Sequence, residues 1–154
     1  METMTVAEYL AQQNKQKPKR EHPEHDEQVA LFLWAELNKR KIPALELLLA
    51  IPNGAFYGGH WSVARRMKEE GVKKGVPDVF LPMPMIYMDK DKNVTSVNAG
   101  LWIEMKSGKN RPSPEQKWWI EKLRAVGYRV EVCYSCDEAI DVINDYLDIN
   151  SKNE

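Results

Sequence analysis

Residues 100–134 hold the pattern that most limits how this chain can fold. In GLWIEMK, residues 100–106, Leu101, Ile103 and Met105 alternate with Trp102, Glu104 and Lys106, the period of two expected of a strand. After the loop SGKNRP, Ser113 stands at an N-cap position, Pro114 at the first helical position, and Gln116 completes a capping box. The predicted helix covers 113–126 and stops at Gly127, and YRVEVCY, residues 128–134, forms a second strand. A strand, one helix and a strand in immediate succession predict a parallel crossover. Such a pair needs helices over its faces, which places the chain among α/β folds with a mixed sheet.

The remaining segments fit that frame. Residues 1–23 read as a flexible polar lead-in, with a short helix at 5–13, and 149–154 as a flexible tail; 24–148 form one domain. Residues 24–40 predict a helix with Glu27, Leu31, Trp34 and Leu37 on one face and Val29, Phe32 and Leu33 widening it. LELLLAI, residues 45–51, reads as a buried strand or an extension of helix. The following NGAFYGG lacks the Gly-Lys-Ser/Thr of a phosphate loop. Residues 60–70 predict a basic helix stopped by Gly71, 76–81 a short strand, 85–100 a hairpin around DKDKN, and 137–148 a last helix.

Charge is segregated along the sequence. Residues 1–38 have a net charge of −3, residues 39–130 of +8 and residues 131–154 of −6, so the total of −1 conceals a basic middle. Either that middle forms a polyanion-binding surface or both signs mix on every folded face. No apolar run reaches the length of a membrane helix, and no signal-type segment opens the chain. Cys133 and Cys136 have C-x-x-C spacing, but they end an alternating apolar run and begin a helix. No second pair exists, and His22, His25 and His60 are not spaced as ligands with them. They read as structural thiols in a reducing, cytoplasmic compartment.

Chemistry concentrates at Asp78 and Glu104-Met105-Lys106. Strand alternation puts Glu104 and Lys106 on one face and Met105 in the core. If the strands bearing Asp78 and Glu104 are neighbours, two carboxylates and an ammonium converge at one sheet edge. Two such carboxylates repel unless a cation lies between them, and hard oxygens suit Mg²⁺ or Mn²⁺. A lysine alongside can polarise water or stabilise phosphate charge, which together is apparatus for metal-assisted phosphodiester hydrolysis. Singly, Glu104 and Lys106 read as a surface pair and Asp78 as a turn residue. Each, however, interrupts a strongly apolar strand.

These residues resemble the PD-(D/E)XK nuclease superfamily, with Pro77-Asp78 and Glu104-Met105-Lys106 as its two-part signature. More narrowly, the chain resembles the VRR-NUC branch, the virus-type replication-repair nucleases. The likeness runs through Glu24-His25-Asp26-Glu27-Gln28, Ile51-Pro52-Asn53-Gly54, Gly71-Val72-Lys73-Lys74-Gly75-Val76-Pro77-Asp78, Ile103-Glu104-Met105-Lys106, and Ser113-Pro114-Glu115-Gln116 leading to Gly127-Tyr128. It spans about residues 24–147. The resemblance implies an αβββαβ core, metal binding by Asp78, Glu104 and the Met105 backbone carbonyl, and Lys106 orienting the attacking water. It also implies an acid on the first helix, with Glu27 as first choice and Glu24 as rival. Gln116 matches a glutamine placed near the site.

Arg65, Arg66, Lys73, Lys74, Lys109 and Arg111 flank the motif and are the expected DNA contacts, with Asn53 and Gly54 lining the cleft. Lys68, Lys117, Lys122 and Arg124 lie in the same two basic clusters, the last three also fitting a solvated helix face. The expected protein is a Mg²⁺- or Mn²⁺-dependent DNA endonuclease. The family points to branched or junction DNA in replication, repair and recombination, to phage and prophage settings, and to homodimers. The hairpin and the Trp118-Trp119 pair offer an interface. The rival readings are a non-catalytic DNA-binding module of the same fold and a nuclease acting on linear duplex.

Overall fold

The computed structural model describes residues 5–6, 23–52 and 61–149. The expected helix at 5–13 and the loop at Asn53-Gly54 therefore fall largely or wholly outside the described residues. Val6 is described, and it is buried in the main core.

Helix α1, Pro23–Asn38, begins at a proline with Glu24 and Asp26 in its first turn, where acids suit the helix dipole. Its inward stripe is Leu31, Trp34, Ala35 and Asn38. Leu37, expected on that face, is exposed because Ala35 and Asn38 occupy the inward positions. Asn38 is satisfied by donating Nδ2–H to the Trp34 carbonyl at 2.8 Å.

The strand expected at 45–51 is mostly a helical turn. Pro43–Leu47 is a 3-10 helix, and only Leu49–Ala50, β1, is strand. The reason lies in the period. Ile42, Leu45 and Leu48 are all buried, and a spacing of three matches the three-residue turn of a 3-10 helix. Leu49 and Ala50 are exposed and pair only by backbone with the next strand.

Helix α2, Trp61–Glu69, is followed by Gly71 at φ +92°, a left-handed stop that glycine takes without strain. Strand β2, Val79–Leu81, precedes a hairpin of β3, Met85–Met88, and β4, Val94–Asn98, which form their own two-stranded sheet. Then come β5, Leu101–Met105, helix α3, Pro114–Ala125, strand β6, Arg129–Cys133, and helix α4, Cys136–Tyr146. The main sheet has the order β1-β2-β5-β6. Its first two pairings are antiparallel and β5 to β6 is parallel, so the expected crossover is present. With α2 and the hairpin as insertions, the core is αβββαβ.

The two faces of β5 go to different layers. Leu101, Ile103 and Met105 pack with Leu31, Trp34, Ala139 and Ile143 of α1 and α4. Trp102 faces Ile120, Leu123 and Val130 under α3, and stacks on Phe80 with ring centres 4.1 Å apart. The hairpin is latched to α4: Tyr87 Oη donates to the Tyr146 carbonyl at 2.6 Å, and Tyr146 Oη donates to the Met83 carbonyl.

Cys133 and Cys136 are free and buried, and desolvation pushes both thiols up to about 12. At about pH 8 both should react with a thiol reagent roughly 100-fold or more slowly in the folded chain than in denaturant. Rapid labelling of either one under native conditions would contradict that burial. No helix among the described residues is long and apolar enough to cross a membrane.

Candidate active site

Strand pairing builds the site. Val79 lies opposite Ile103, so the next step of the register brings Asp78 opposite Glu104. Asp78 Oδ2 accepts a hydrogen bond from the Met105 amide at 2.8 Å, which ties the carboxylate to the backbone of the E-x-K strand. The Met105 side chain is buried in the main core. Only its backbone is thereby left to the site.

Glu104 is fully buried. Its Oε1 accepts from Lys106 Nζ at 2.9 Å and from Gln116 Nε2. Its Oε2 is buried and has no hydrogen-bond partner among the described residues. Desolvation, reinforced by the charge of Asp78, raises the Glu104 pKa to about 7 even though Lys106 pulls it down. Burial works against the Lys106 ammonium, but the hydrogen bond and charge of Glu104, aided by Glu24 and Asp78, raise its pKa.

Gln116 closes the capping box and also touches Glu104. Its Oε1 accepts from the Ser113 amide at 2.8 Å, closing the capping box, while its Nε2 reaches Glu104. The helix start is thus locked to the carboxylate.

The structure brings Glu24 to this cluster and leaves Glu27 elsewhere. Glu24 Oε1 accepts from the Ser107 amide at 3.3 Å and from Asn110 Nδ2 at 3.3 Å, and its charge acts on both Glu104 and Lys106. Glu27, the first choice from sequence, accepts from the Cys136 amide at 2.7 Å at the start of α4. Three residues of helix turn the side chain by about 60° and lift it by about 4.5 Å. That shift is enough to put the two acids on different neighbours.

The basic residues lie around rather than within the cluster. Arg65 and Arg66 are exposed on α2 and pair with Glu69 and Glu70 at 2.8 and 2.9 Å. Lys74 is exposed and reaches Glu115 at 3.2 Å. Lys73, Lys109 and Arg111 are exposed, the last two on the loop that also holds Ser107 and Asn110. Asn53 lies outside the described residues.

No role for Gly75 is legible in the sequence, and for Trp119 only general packing. The loop before Asp78 rests directly on the first turn of α3. Gly75 is buried at φ +85°, and a Cβ there would come within 2.8 Å of Glu115 Cβ and 3.1 Å of the Gln116 amide nitrogen. Trp119 Nε1 donates to the Lys74 carbonyl at 3.1 Å. The only signal in the sequence was a glycine between two lysines and Val76-Pro77-Asp78. Gly75→Ala should cost about 1–3 kcal/mol, through both the crowded approach and the backbone angle. Thermal melting is expected to fall by roughly 3–10 °C; an unchanged melt would mean the loop can lift off α3 freely.

Among the described residues no three His, Cys, Asp or Glu side chains gather tightly enough to hold a metal ion by themselves. The residues nonetheless suit a hard divalent cation. Asp78 and Glu104 supply two carboxylates side by side, and the orphaned Oε2 of Glu104 is a buried acceptor that a cation would satisfy.

A mixed four-stranded sheet in an αβββαβ core, with an acid before its second strand and E-x-K on the strand beside it, defines a nuclease domain of the PD-(D/E)XK class. The family model for the VRR-NUC domain matches residues 59–137, just over half of the chain, and the chain belongs to that family. A solved structure described as a "VRR_NUC domain protein" is 27% identical, covers 82% of this chain and 89% of its own, and superposes with a TM-score of 0.61. No curated protein matches the chain. Family membership makes this a nuclease-type, DNA-processing domain.

Proposed function

We propose that the chain is a Mg²⁺- or Mn²⁺-dependent DNA endonuclease acting on branched or junction DNA. The observation that carries this reading is the buried Glu104 beside Asp78, with one oxygen orphaned and the other held by Lys106 and Gln116. A chain selected only for stability or for binding phosphate has no use for a buried carboxylate of that kind.

Asp78, Glu104 and the Met105 carbonyl are the proposed metal ligands, and Glu24 is the proposed first-helix acid. A bound divalent ion supplies Lewis acidity and an acidified water. Lys106 holds its proton at Nζ, orients the attacking water and offsets charge on the phosphate. Gln116 fixes the rotamer of Glu104. Arg65, Arg66, Lys73, Lys74, Lys109 and Arg111, together with Asn53, are proposed to position the DNA backbone.

The test is cleavage of four-way junction, flap, single-stranded and linear duplex DNA in Mg²⁺, Mn²⁺ or EDTA. Metal-dependent cutting of branched substrates, lost in Asp78→Ala and Lys106→Ala, is the expected outcome. A natural chain that cuts none of these with either metal, or variants that cut equally well, would overturn it.

A homodimer is part of the proposal, because two strands need two sites. One face of the hairpin exposes Ile86, Met88, Val94 and Val97, and Trp118 is half exposed. Trp119 is committed to Lys74 and the α3 layer, so Trp118 alone of the pair is left for an interface. Sedimentation at micromolar concentration should give a dimer, and a stable monomer would count against it. A reducing cytoplasmic compartment is proposed alongside, in keeping with two free buried thiols.

A further inference from the structure

One surface near the site includes Lys73 and Lys74, already proposed as backbone contacts, and also an apolar part that the mechanism above does not use. A groove of about 530 Å³ lies between α2 and the loop that follows it. It is lined by Ala64, Met67, Gly71 and Val72 together with Lys68, Lys73 and Lys74. Trp61 is outside the lining itself but shares a helical face with two lining residues, Ala64 and Lys68, three and seven residues on. It is 90% exposed, and α2 contributes no buried residue to the fold. An indole left in water there stabilises nothing, since the gain from an aromatic side chain comes with its burial.

The occupant can be read from the chemistry. Three lysines in the lining call for a polyanion, and apolar lining beside an exposed indole calls for flat aromatic groups. DNA combines both only where its bases are unstacked. The arginines of α2 already have carboxylate partners, so the three lysines carry the charge argument. Lys74 is also held by a weak exposed pair with Glu115, which a phosphate can displace.

We propose that this groove binds an unpaired DNA strand, with Trp61 stacking on a base and Lys68, Lys73 and Lys74 contacting phosphates. The Lys74 end of the groove is held beside the acid cluster, because Trp119 Nε1 bonds the Lys74 carbonyl and Gly75 rests on the start of α3. Asp78 is four residues beyond Lys74, at most roughly 14 Å along the chain. A strand held at the Lys74 end of the groove therefore lies within about that distance of Asp78. The inference rests on the nuclease reading and adds a physical reason for a branched substrate, since a continuous duplex has no unstacked base to offer.

Binding is measured by anisotropy in EDTA, with labelled oligo-dT, a flap and a blunt duplex of equal length. Trp61→Ala should weaken oligo-dT and flap binding about tenfold or more, Trp61→Phe should retain most of it, and duplex binding should change by about twofold or less. Circular dichroism should be unchanged, because Trp61 lies outside both cores. Equal affinities for the natural chain and Trp61→Ala, or equal losses on all three DNAs, overturn the groove. Loss of dimer in Trp61→Ala would assign the groove to a second copy instead. The two readings separate cleanly: a natural chain that cuts flaps while Trp61→Ala binds as well as it does sinks only the groove. A natural chain that binds none of the three DNAs sinks both.

Discussion

Lys106→Ala is expected to cleave DNA about 10²- to 10⁴-fold more slowly than the natural chain at saturating Mn²⁺. Its affinity for DNA in EDTA should stay within about threefold, because a buried lysine neutralises at most one phosphate. Two effects are combined in that loss. The first is direct, through the ammonium at the attacking water and the phosphate. The second runs through Glu104. Lys106 supplies the hydrogen bond and the charge that hold the Glu104 pKa down to about 7. Without them the carboxyl stays protonated to higher pH, and a cation must displace that proton to bind. The residual activity of Lys106→Ala should therefore keep climbing above about pH 8, where that of the natural chain has levelled off. A loss of the same size at every pH would restrict Lys106 to the direct effect. Wild-type rates in the variant would remove it from the mechanism.

The sequence was most informative where structure is local. The capping box at Ser113 and Gln116 is visible in four residues, and its helix fixes the crossover between β5 and β6. Period two placed Glu104 and Lys106 together, and the interrupted apolar strands around them marked the edge where they converge. The segment 45–51 failed because a run of leucines satisfies a period of two or three equally well. Pro43 and the spacing of Ile42, Leu45 and Leu48 decided for three. Glu24 and Glu27 could not be separated because both are polar residues in one turn. What places Glu24 rather than Glu27 beside the cluster is Ser107 and Asn110, more than eighty residues away, folding back onto α1. Gly75 and Trp119 were hidden for the same reason, since their partners sit about forty residues off in either direction. The charge pattern gains a spatial meaning too. Glu131 and Asp145 from the acidic end are tied to Arg129. Their partner lies on the α4 side of the sheet, away from α3 and Gln116.

Glu104→Gln should make the metal-free protein more stable, and more so as pH rises. The folded pKa of Glu104 is about 7, against an ordinary 4.5. Between those values the folded chain retains a proton that the unfolded chain has released. Stability therefore falls as pH rises through that window, and above about 7 the whole loss is present. A shift of that size corresponds to about 3 kcal/mol. Glutamine keeps an oxygen for Lys106 and Gln116 and has no charge to desolvate. In EDTA at about pH 8 the variant should melt roughly 5–10 °C above the natural chain. At about pH 4.5 the difference should nearly vanish. Mn²⁺ should reverse the order, raising the natural chain by its binding free energy while a site short of one carboxylate gains little. The comparison between variant and natural chain matters more than either curve alone, because other carboxylates titrate in the same range in both. A variant that melts below the natural chain in EDTA at about pH 8 would show Glu104 to be content as an anion without metal. A satisfied anion needs no cation, and the argument from its orphaned oxygen would fall with it.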